Sequence, residues 1–331
     1  MKTRKERQRR LLPLFLAALF ASLVPLTTAQ ALFGRDRAVD PGAPIAQAQE
    51  IRAYCGVACT GTLRAIDSEG GSVTFSLLDA PKKGTLELSE DGAFVYTPLS
   101  GKAGADSFTF TAADEDGNVS QSATVKIRIL KSTSGVQYAD TDGSDAATAA
   151  MDLAERGIFV GARVGDRYFF EPERAVTRAE FAAMCLKAAG LRESEVNMTG
   201  FCDDESIPTW CKSVAASALR SGMVRGAVTA DGVAFRPDRA ITLGEAATVL
   251  NRLLEITDVD LSGYLGASVS AWNAQAVANL ESVSLLPSGS FGSSGLDAAL
   301  TRAEAARLLS SAAVLMDRRS AEAGLFARLF G

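Results

Sequence analysis

The chain has 331 residues, 34 Lys plus Arg against 39 Asp plus Glu, five cysteines and no histidine. Without histidine, Ser-His-Asp and Cys-His nucleophile systems and imidazole-ligated zinc are excluded, leaving paired carboxylates or lysine as routes to catalysis. An apolar fraction of 47% and a charged fraction of 22% are those of folded domains, and the length suits two or three of them.

Met1 to Arg10 carries six basic residues and one acidic, a net of +5, and Leu11 to Leu26 is uncharged and apolar. Ala29-Gln30-Ala31 then supplies a small-x-small cleavage site, so residues 1–31 are expected to be a secretory signal peptide. An uncleaved anchor is the alternative, but this apolar run contains Pro13 and Pro25 and falls short of the ~20 residues of a membrane span. Removing the +5 segment turns the whole-chain net charge of −5 into −10. So acidic a chain is a poor partner for nucleic acid, and no second apolar span follows. All five cysteines lie in the exported part, where disulfides are permitted. Their spacing suggests two local pairs, Cys55–Cys59 and Cys202–Cys211, with Cys185 left in an apolar helical pattern; no C-x2-C metal doublet occurs.

Residues 32–51, rich in Ala, Pro, Gln and Gly, read as a linker. From 52 to 130 the pattern has period two: Val73, Phe75 and Leu77, then Phe108 and Phe110, then Val125, Ile127 and Ile129 alternate with polar residues. Asp91-Gly92 and Asp116-Gly117 mark hairpin turns between such runs, which predicts a β-sandwich. The order Gly61-Thr62-Leu63, Ala80-Pro81, Asp91-Gly92-Ala93-Phe94-Val95-Tyr96-Thr97-Pro98 and Gly104-Ala105-Asp106-Ser107-Phe108 resembles the bacterial cadherin-like, immunoglobulin-type repeat. That resemblance implies a spacer or adhesion module of secreted and surface proteins. Some relatives bind calcium, and Asp67, Asp114 and Asp116 are the calcium candidates here; as polar turn residues they also have a simpler explanation.

Residues 131–137 form a second linker, after which the period becomes helical and the chain repeats. Val176-Thr177-Arg178-Ala179-Glu180 recurs as Ile241-Thr242-Leu243-Gly244-Glu245 and as Leu300-Thr301-Arg302-Ala303-Glu304. Phe170-Glu171-Pro172 matches Phe235-Arg236-Pro237, and Tyr138-Ala139-Asp140 matches Phe201-Cys202-Asp203. The repeats are placed at 138–198, 199–258 and 259–316, with a tail at 317–331 whose Leu325, Phe326, Leu329 and Phe330 suit a short docking helix. Thr-x-x-Glu before an apolar helix is a capping box, so Thr177/Glu180, Thr242/Glu245 and Thr301/Glu304 are read as structural. An arginine in the first helical turn opposes the macrodipole and is not needed for capping, so Arg178 and Arg302 are read as anion-binding residues; a solvated or acid-paired arginine is the alternative. Trp210 and Trp272, near helix starts, suit either a sugar face or a core.

Aromatic-x-Asp, Trp, Gly-Ile-x-x-Gly, Phe-x-Pro and Thr-Arg-Ala-Glu together resemble the S-layer homology (SLH) domain, in three copies covering 138 to about 316. The resemblance implies an all-α, pseudo-threefold assembly with one long helix per repeat in a central bundle. It also implies attachment to an anionic, often pyruvylated, cell-wall polysaccharide in grooves between repeats. Arg178, Arg302, Trp210, Trp272, Asp140 and Asp203 would be the ligand-binding residues. Repeat one lacks the Trp, repeat two has Leu243 and Gly244 in place of Arg and Ala, and repeat three lacks Phe-x-Pro, so one or two working grooves are expected. The sequence reading is thus a secreted, non-enzymatic protein held to the wall by its repeats, with the immunoglobulin-like sandwich as spacer and no cofactor beyond candidate calcium. The alternatives are an adhesin whose cadherin-like domain binds other surface proteins, an envelope glycan hydrolase, and a scaffold that assembles a surface lattice.

Overall fold

The computed structural model describes residues 42–142, 144–264, 272–287 and 289–330, with the side chains of all but 263–264 and 325–330. The signal-peptide expectation and the start of the first linker fall outside these residues. Nine strands come first: β1 (Ile45–Ala46), β2 (Gln49–Tyr54), β3 (Cys59–Thr62), β4 (Ala65–Ile66), β5 (Thr74–Asp79), β6 (Gly84–Leu88), β7 (Ala93–Pro98), β8 (Gly104–Ala113) and β9 (Ala123–Leu130). Two sheets, ordered β2-β9-β8-β5 and β3-β7-β6, make the sandwich, and β1 pairs with β4. Its core follows from alternation: Val125, Ile127 and Ile129 point inward from β9 while Lys126 and Arg128 face out. Phe94 meets Phe108 edge to face at 5.5 Å. The Asp91-Gly92 turn has φ 87° at Gly92, where a Cβ would also fall 2.8 Å from the Phe75 ring.

The sandwich begins earlier than its predicted boundary at 52. β2 runs parallel to β9, Ile51 opposite Ile127, a long-range pairing that local composition does not reveal. All five cysteines are free. Cys59 is buried in β3 and Cys55 lies in the turn after β2, while Cys211 is buried in a helix and Cys202 is exposed beside a hairpin, so neither expected pair forms. Cys185 is fully buried in the helical core. The calcium candidates serve turns: Asp67 accepts from the amides of Glu69 and Gly71, and Asp114 from the Asn118 amide and side chain. Among the described residues no group of three or more carboxylates or thiols is placed to hold a metal ion.

The helical region holds α1 (Ala147–Glu155), hairpin β10–β11 (Ala162–Val164, Arg167–Phe169), α2 (Arg178–Ala188), α3 (Thr209–Arg220), hairpin β12–β13 (Ala227–Thr229, Gly232–Ala234), α4 (Leu243–Leu254), α5 (Ala274–Ser282) and α6 (Arg302–Phe330). The second helices of the three repeats, α2, α4 and α6, all touch one another, and each first helix packs on the second helix of the preceding repeat: α3 on α2, α5 on α4, and α1 on α6. Three backbone hydrogen bonds close the ring: Val176 N–H to Leu300 O, Leu300 N–H to Ile241 O, and Ile241 N–H to Val176 O. Phe181, Leu186, Leu250 and Leu309 fill the shared core. The tail is not a separate docking helix but the continuation of α6 to Phe330. Among the described residues no helix is long and apolar enough to cross a membrane.

The sandwich and the helices share a built junction. Asp152 on α1, 2% exposed, accepts from Arg52 (2.7 Å), Tyr54 (3.1 Å), Arg156 (2.9 Å) and Ser310 (2.8 Å), joining β2, α1 and α6. One turn on, Glu155 gathers the hydroxyls and amides of the expected linker at Ser132, Thr133 and Ser134. Partial burial alone would raise the Glu155 carboxyl, but these donors outweigh it and hold it down at about 2 against an ordinary 4.5.

Two outcomes are expected. Asp152→Ala strands two arginines and a tyrosine hydroxyl and costs about 3 kcal/mol in urea unfolding, with faster proteolysis at 131–137. Because the Glu155 carboxyl is depressed in the folded state, its contribution is complete above about 4.5 and is lost as pH falls toward 2. The stability gap between wild type and Glu155→Gln, followed by denaturation midpoints from pH 6 to pH 3, therefore narrows as the solution is acidified.

Candidate functional site

The second helix of each repeat starts at a capping box. Thr177 Oγ1 accepts the Glu180 amide while Glu180 Oε2 accepts the Thr177 amide, and Thr242/Glu245 and Thr301/Glu304 repeat the exchange. The first two helical amides are not free either. Arg178 N–H reaches Arg239 O and Ala179 N–H reaches Pro237 O; Arg302 and Ala303 do the same to the carbonyls of Arg174 and Pro172. The expected anion-binding helix end is thus filled by carbonyls of the following repeat.

The arginines are used in the same joint. Arg178, 9% exposed, donates from Nε to Phe235 O (2.8 Å) and from its terminus to Glu245 (3.2 Å), with its guanidinium 5.9 Å from the Phe235 ring centre. Arg302, 4% exposed, donates to Phe170 O (2.7 Å) and Glu171 (2.9 Å) and lies 5.0 Å from the Phe159 ring centre. The reading of Arg178 and Arg302 as free ligand cations is therefore corrected: both are clasps on a carbonyl of a neighbouring Phe-x-Pro turn. Burial lowers the Arg178 pKa, opposed by Glu245 and reinforced by the nearby Arg239 and Arg236 charges.

Asp140 and Asp203 grip the same turns from the other side. Asp140 accepts the Phe170 and Glu171 amides at 2.9 and 2.7 Å, and Asp203 accepts those of Phe235 and Arg236, both at 2.8 Å. The turn residues so held, Glu171 and Arg236, have φ 55°, a left-handed conformation just before proline that costs a non-glycine residue about 1–3 kcal/mol. Strain of that size persists only where neighbours over-determine the backbone, as the aspartate and arginine do here. Position 171/236 was not singled out by the sequence reading; its signal was the two matching Phe-x-Pro triplets.

The departures in the repeats now pair up. The helix of repeat one clasps the turn of repeat two, and the helix of repeat three clasps the turn of repeat one. Repeat two would clasp a turn of repeat three, which has no Phe-x-Pro, and there Leu243 replaces the arginine. Gly244 completes that change: a Cβ at this position would lie 2.4 Å from Asn273 Nδ2 and 3.2 Å from Leu296 O. Trp210 and Trp272 are 59% and 55% exposed, so both lie on the surface rather than in the core. A cavity of about 450 Å³ beside the repeat-two turn is lined by Asp203, Arg236, Arg239 and the rim acids Asp231 and Asp238.

Residues 42–131 match the family model of the bacterial cadherin-like domain. Among curated proteins, the exoglucanase XynX of Acetivibrio thermocellus is 31% identical over 150 residues, covering 42% of this chain and 13% of that protein. The surface-layer 125 kDa protein of Lysinibacillus sphaericus is 29% identical over 110 residues, 33% of this chain and 9% of that protein. The chain thus spans only a small part of these relatives. Among solved structures, Drosophila N-cadherin EC1-4 aligns at 17% identity over 27% of this chain and 24% of that one, with a TM-score of 0.23.

If the arginines are clasps, their loss reads out as stability. Arg178→Ala and Arg302→Ala should each cost about 2–3 kcal/mol in urea unfolding, as expected for a buried charged hydrogen bond whose partners are left behind. Leu243→Ala, at the position without a clasp, should cost less than either.

Proposed function

We propose that the protein is a non-catalytic cell-surface protein whose three-repeat region is an SLH-type anchor for an anionic cell-wall polysaccharide, with the cadherin-like sandwich as a spacer or presenting module. The observation that carries this reading is the closed ring of α2, α4 and α6, one helix from each repeat, which suits the pseudo-threefold central bundle that the SLH resemblance implies. The similarity to a surface-layer protein supports it. The alignments of 110 and 150 residues are longer than the 90 residues of the cadherin-like match, so part of each likeness lies outside that domain. With the motif arginines committed to the joints, the polymer would meet the exposed Trp210 and Trp272 and the surface beside the clasped turns. Aromatic stacking on sugar faces and hydrogen bonds to hydroxyls suit such exposed rings, and weak grooves combine on one polymer through effective concentration. A calcium-dependent adhesive role has less support, since Asp67 and Asp114 direct their oxygens to turn amides.

Sedimentation of the full chain with purified cell wall tests the reading. Native wall should pull down the protein, wall stripped of its polymer should not, and Trp210→Ala combined with Trp272→Ala should weaken binding about tenfold, the loss of roughly 1.4 kcal/mol of stacking. Equal binding to stripped wall would sink the proposal.

A further inference from the structure

The chain has five asparagines, all among the described residues, and the structure separates them by exposure. Asn273 and Asn279 are buried, Asn118 and Asn251 are half-buried, and Asn197 alone is exposed. Two of the five open an Asn-x-Ser/Thr triplet, the acceptor sequence for N-linked glycan: Asn118-Val119-Ser120 and Asn197-Met198-Thr199. Each also has an exposed acid two residues earlier, Asp116 and Glu195. As sequence the two triplets are equivalent. As structure they are not.

Asn118 is spent on its own turn. Its Nδ2 donates to Asp114 Oδ2 at 2.9 Å and its amide to Asp114 Oδ1 at 2.8 Å, which closes the connection from β8 to β9. Ser120 is 7% exposed, and its hydroxyl accepts the Ala112 amide and donates to Gln121 O. Presenting this triplet to an enzyme would mean opening the end of the β8–β9 hairpin. Asn197 lies between α2 and α3, where residues 192–198 form no helix or strand and no backbone–backbone hydrogen bond. Its carboxamide has no hydrogen-bond partner among the described residues, and Met198 beside it is 75% exposed. Only Thr199 is tied. It gives its amide (2.7 Å) and hydroxyl (2.6 Å) to Asp204 Oδ1, and the hydroxyl accepts the Phe201 amide at 3.3 Å. Opening these three local bonds breaks no strand or helix, the kind of local release that irregular loops undergo at low free energy.

We propose that Asn197 is an acceptor for N-linked glycan and that Asn118 is not. The donor class is an oligosaccharide carried on a lipid diphosphate, used by a transferase on the export side of the membrane. Asn197 Nδ2 attacks the anomeric carbon, and the new C–N bond forms as the C–O bond to the diphosphate breaks. The diphosphate leaves with the bonding electrons, and the amide proton passes to a base of the transferase. Lys212 Nζ reaches Asn197 O at 3.4 Å, which sets the loop beside the start of α3, where Trp210 is 59% exposed. A glycan on Asn197 therefore stands beside a ring proposed to meet the wall polymer. That the chain encounters such a transferase rests on the cell-surface reading; the choice between the two asparagines does not.

The test is intact-glycopeptide mass spectrometry on the full chain, recovered from the cells that make it and separated into wall and intracellular fractions. Peptides spanning Asn197 from the wall fraction should carry a sugar mass on that asparagine, and peptides spanning Asn118 should carry none. Asn197→Gln should abolish the addition, as should Met198→Pro, which keeps the asparagine but blocks the triplet, each with the fold intact by circular dichroism. Thr199→Ser keeps the hydroxyl and should retain the sugar. A bare Asn197 on chain from the wall fraction would overturn the site and leave the surface reading. A bare Asn197 on chain found only inside the cells would overturn both. Equal sugar on Asn118 would overturn the choice the structure makes between the two triplets, and sugar persisting in Met198→Pro would overturn the triplet as the signal.

Discussion

The helical region depends on one closed circuit, the three backbone hydrogen bonds among Val176, Ile241 and Leu300. These residues immediately precede the capping threonines, so the circuit fixes where all three helices begin. Once their starts meet, α2, α4 and α6 lie in mutual contact, and the apolar faces of Phe181, Leu250 and Leu309 close over one core. The outer helices then seal the seams, each on the helix of the repeat before it, which ties the first repeat to the last through α1 on α6. No repeat can bury its own apolar face alone, and the unit of stability is the whole ring.

Ring closure also explains why arginine is buried in an acidic chain. Bringing two repeats together at a helix start sets two amides, a turn carbonyl and a capping glutamate in a partly buried seam. Carbonyls of the next repeat satisfy the amides, but the turn carbonyl still needs a donor that also answers the glutamate. A guanidinium does both at once, with a planar fork that an ammonium lacks. The joint without a turn needs no such donor, and there the chain has Leu243 and Gly244. Asp152 applies the same logic at the sandwich junction: a carboxylate 2% exposed is stable only because four donors converge on it. With Glu155 holding residues 132–134, the connection between the two folds is built rather than loose.

Much of this was legible in the sequence where the signal is local. Period-two alternation located Phe108, Phe110, Val125, Ile127 and Ile129, and Thr-x-x-Glu located three helix starts. Signals that join distant segments were not legible. Strand β2 hides in a stretch rich in Ala and Gln because its partner β9 follows some seventy residues later. Spacing suggested disulfides, but Cys202 and Cys211 lie on opposite sides of the line between surface and core. The arginines were misread for an instructive reason. An argument from the helix alone finds a cation against the dipole and infers a ligand; the ligand is a carbonyl of this same chain, contributed by the next repeat.

Recurrence in a repeat protein therefore marks what the ring needs, and difference marks where recognition can enter. Thr-Arg-Ala-Glu recurs with Phe-x-Pro and disappears with it, as a joint must. Within the surviving turns, Phe170 and Phe235, Pro172 and Pro237, and the gripping Asp140 and Asp203 are all kept, and the one side chain whose charge reverses is Glu171 against Arg236. That residue is exposed, its backbone is fixed at φ 55°, and the joint does not require its side chain for closure in repeat two. A rigid backbone with a free choice of side chain lets the joint keep its geometry while the charge carried beside it reverses.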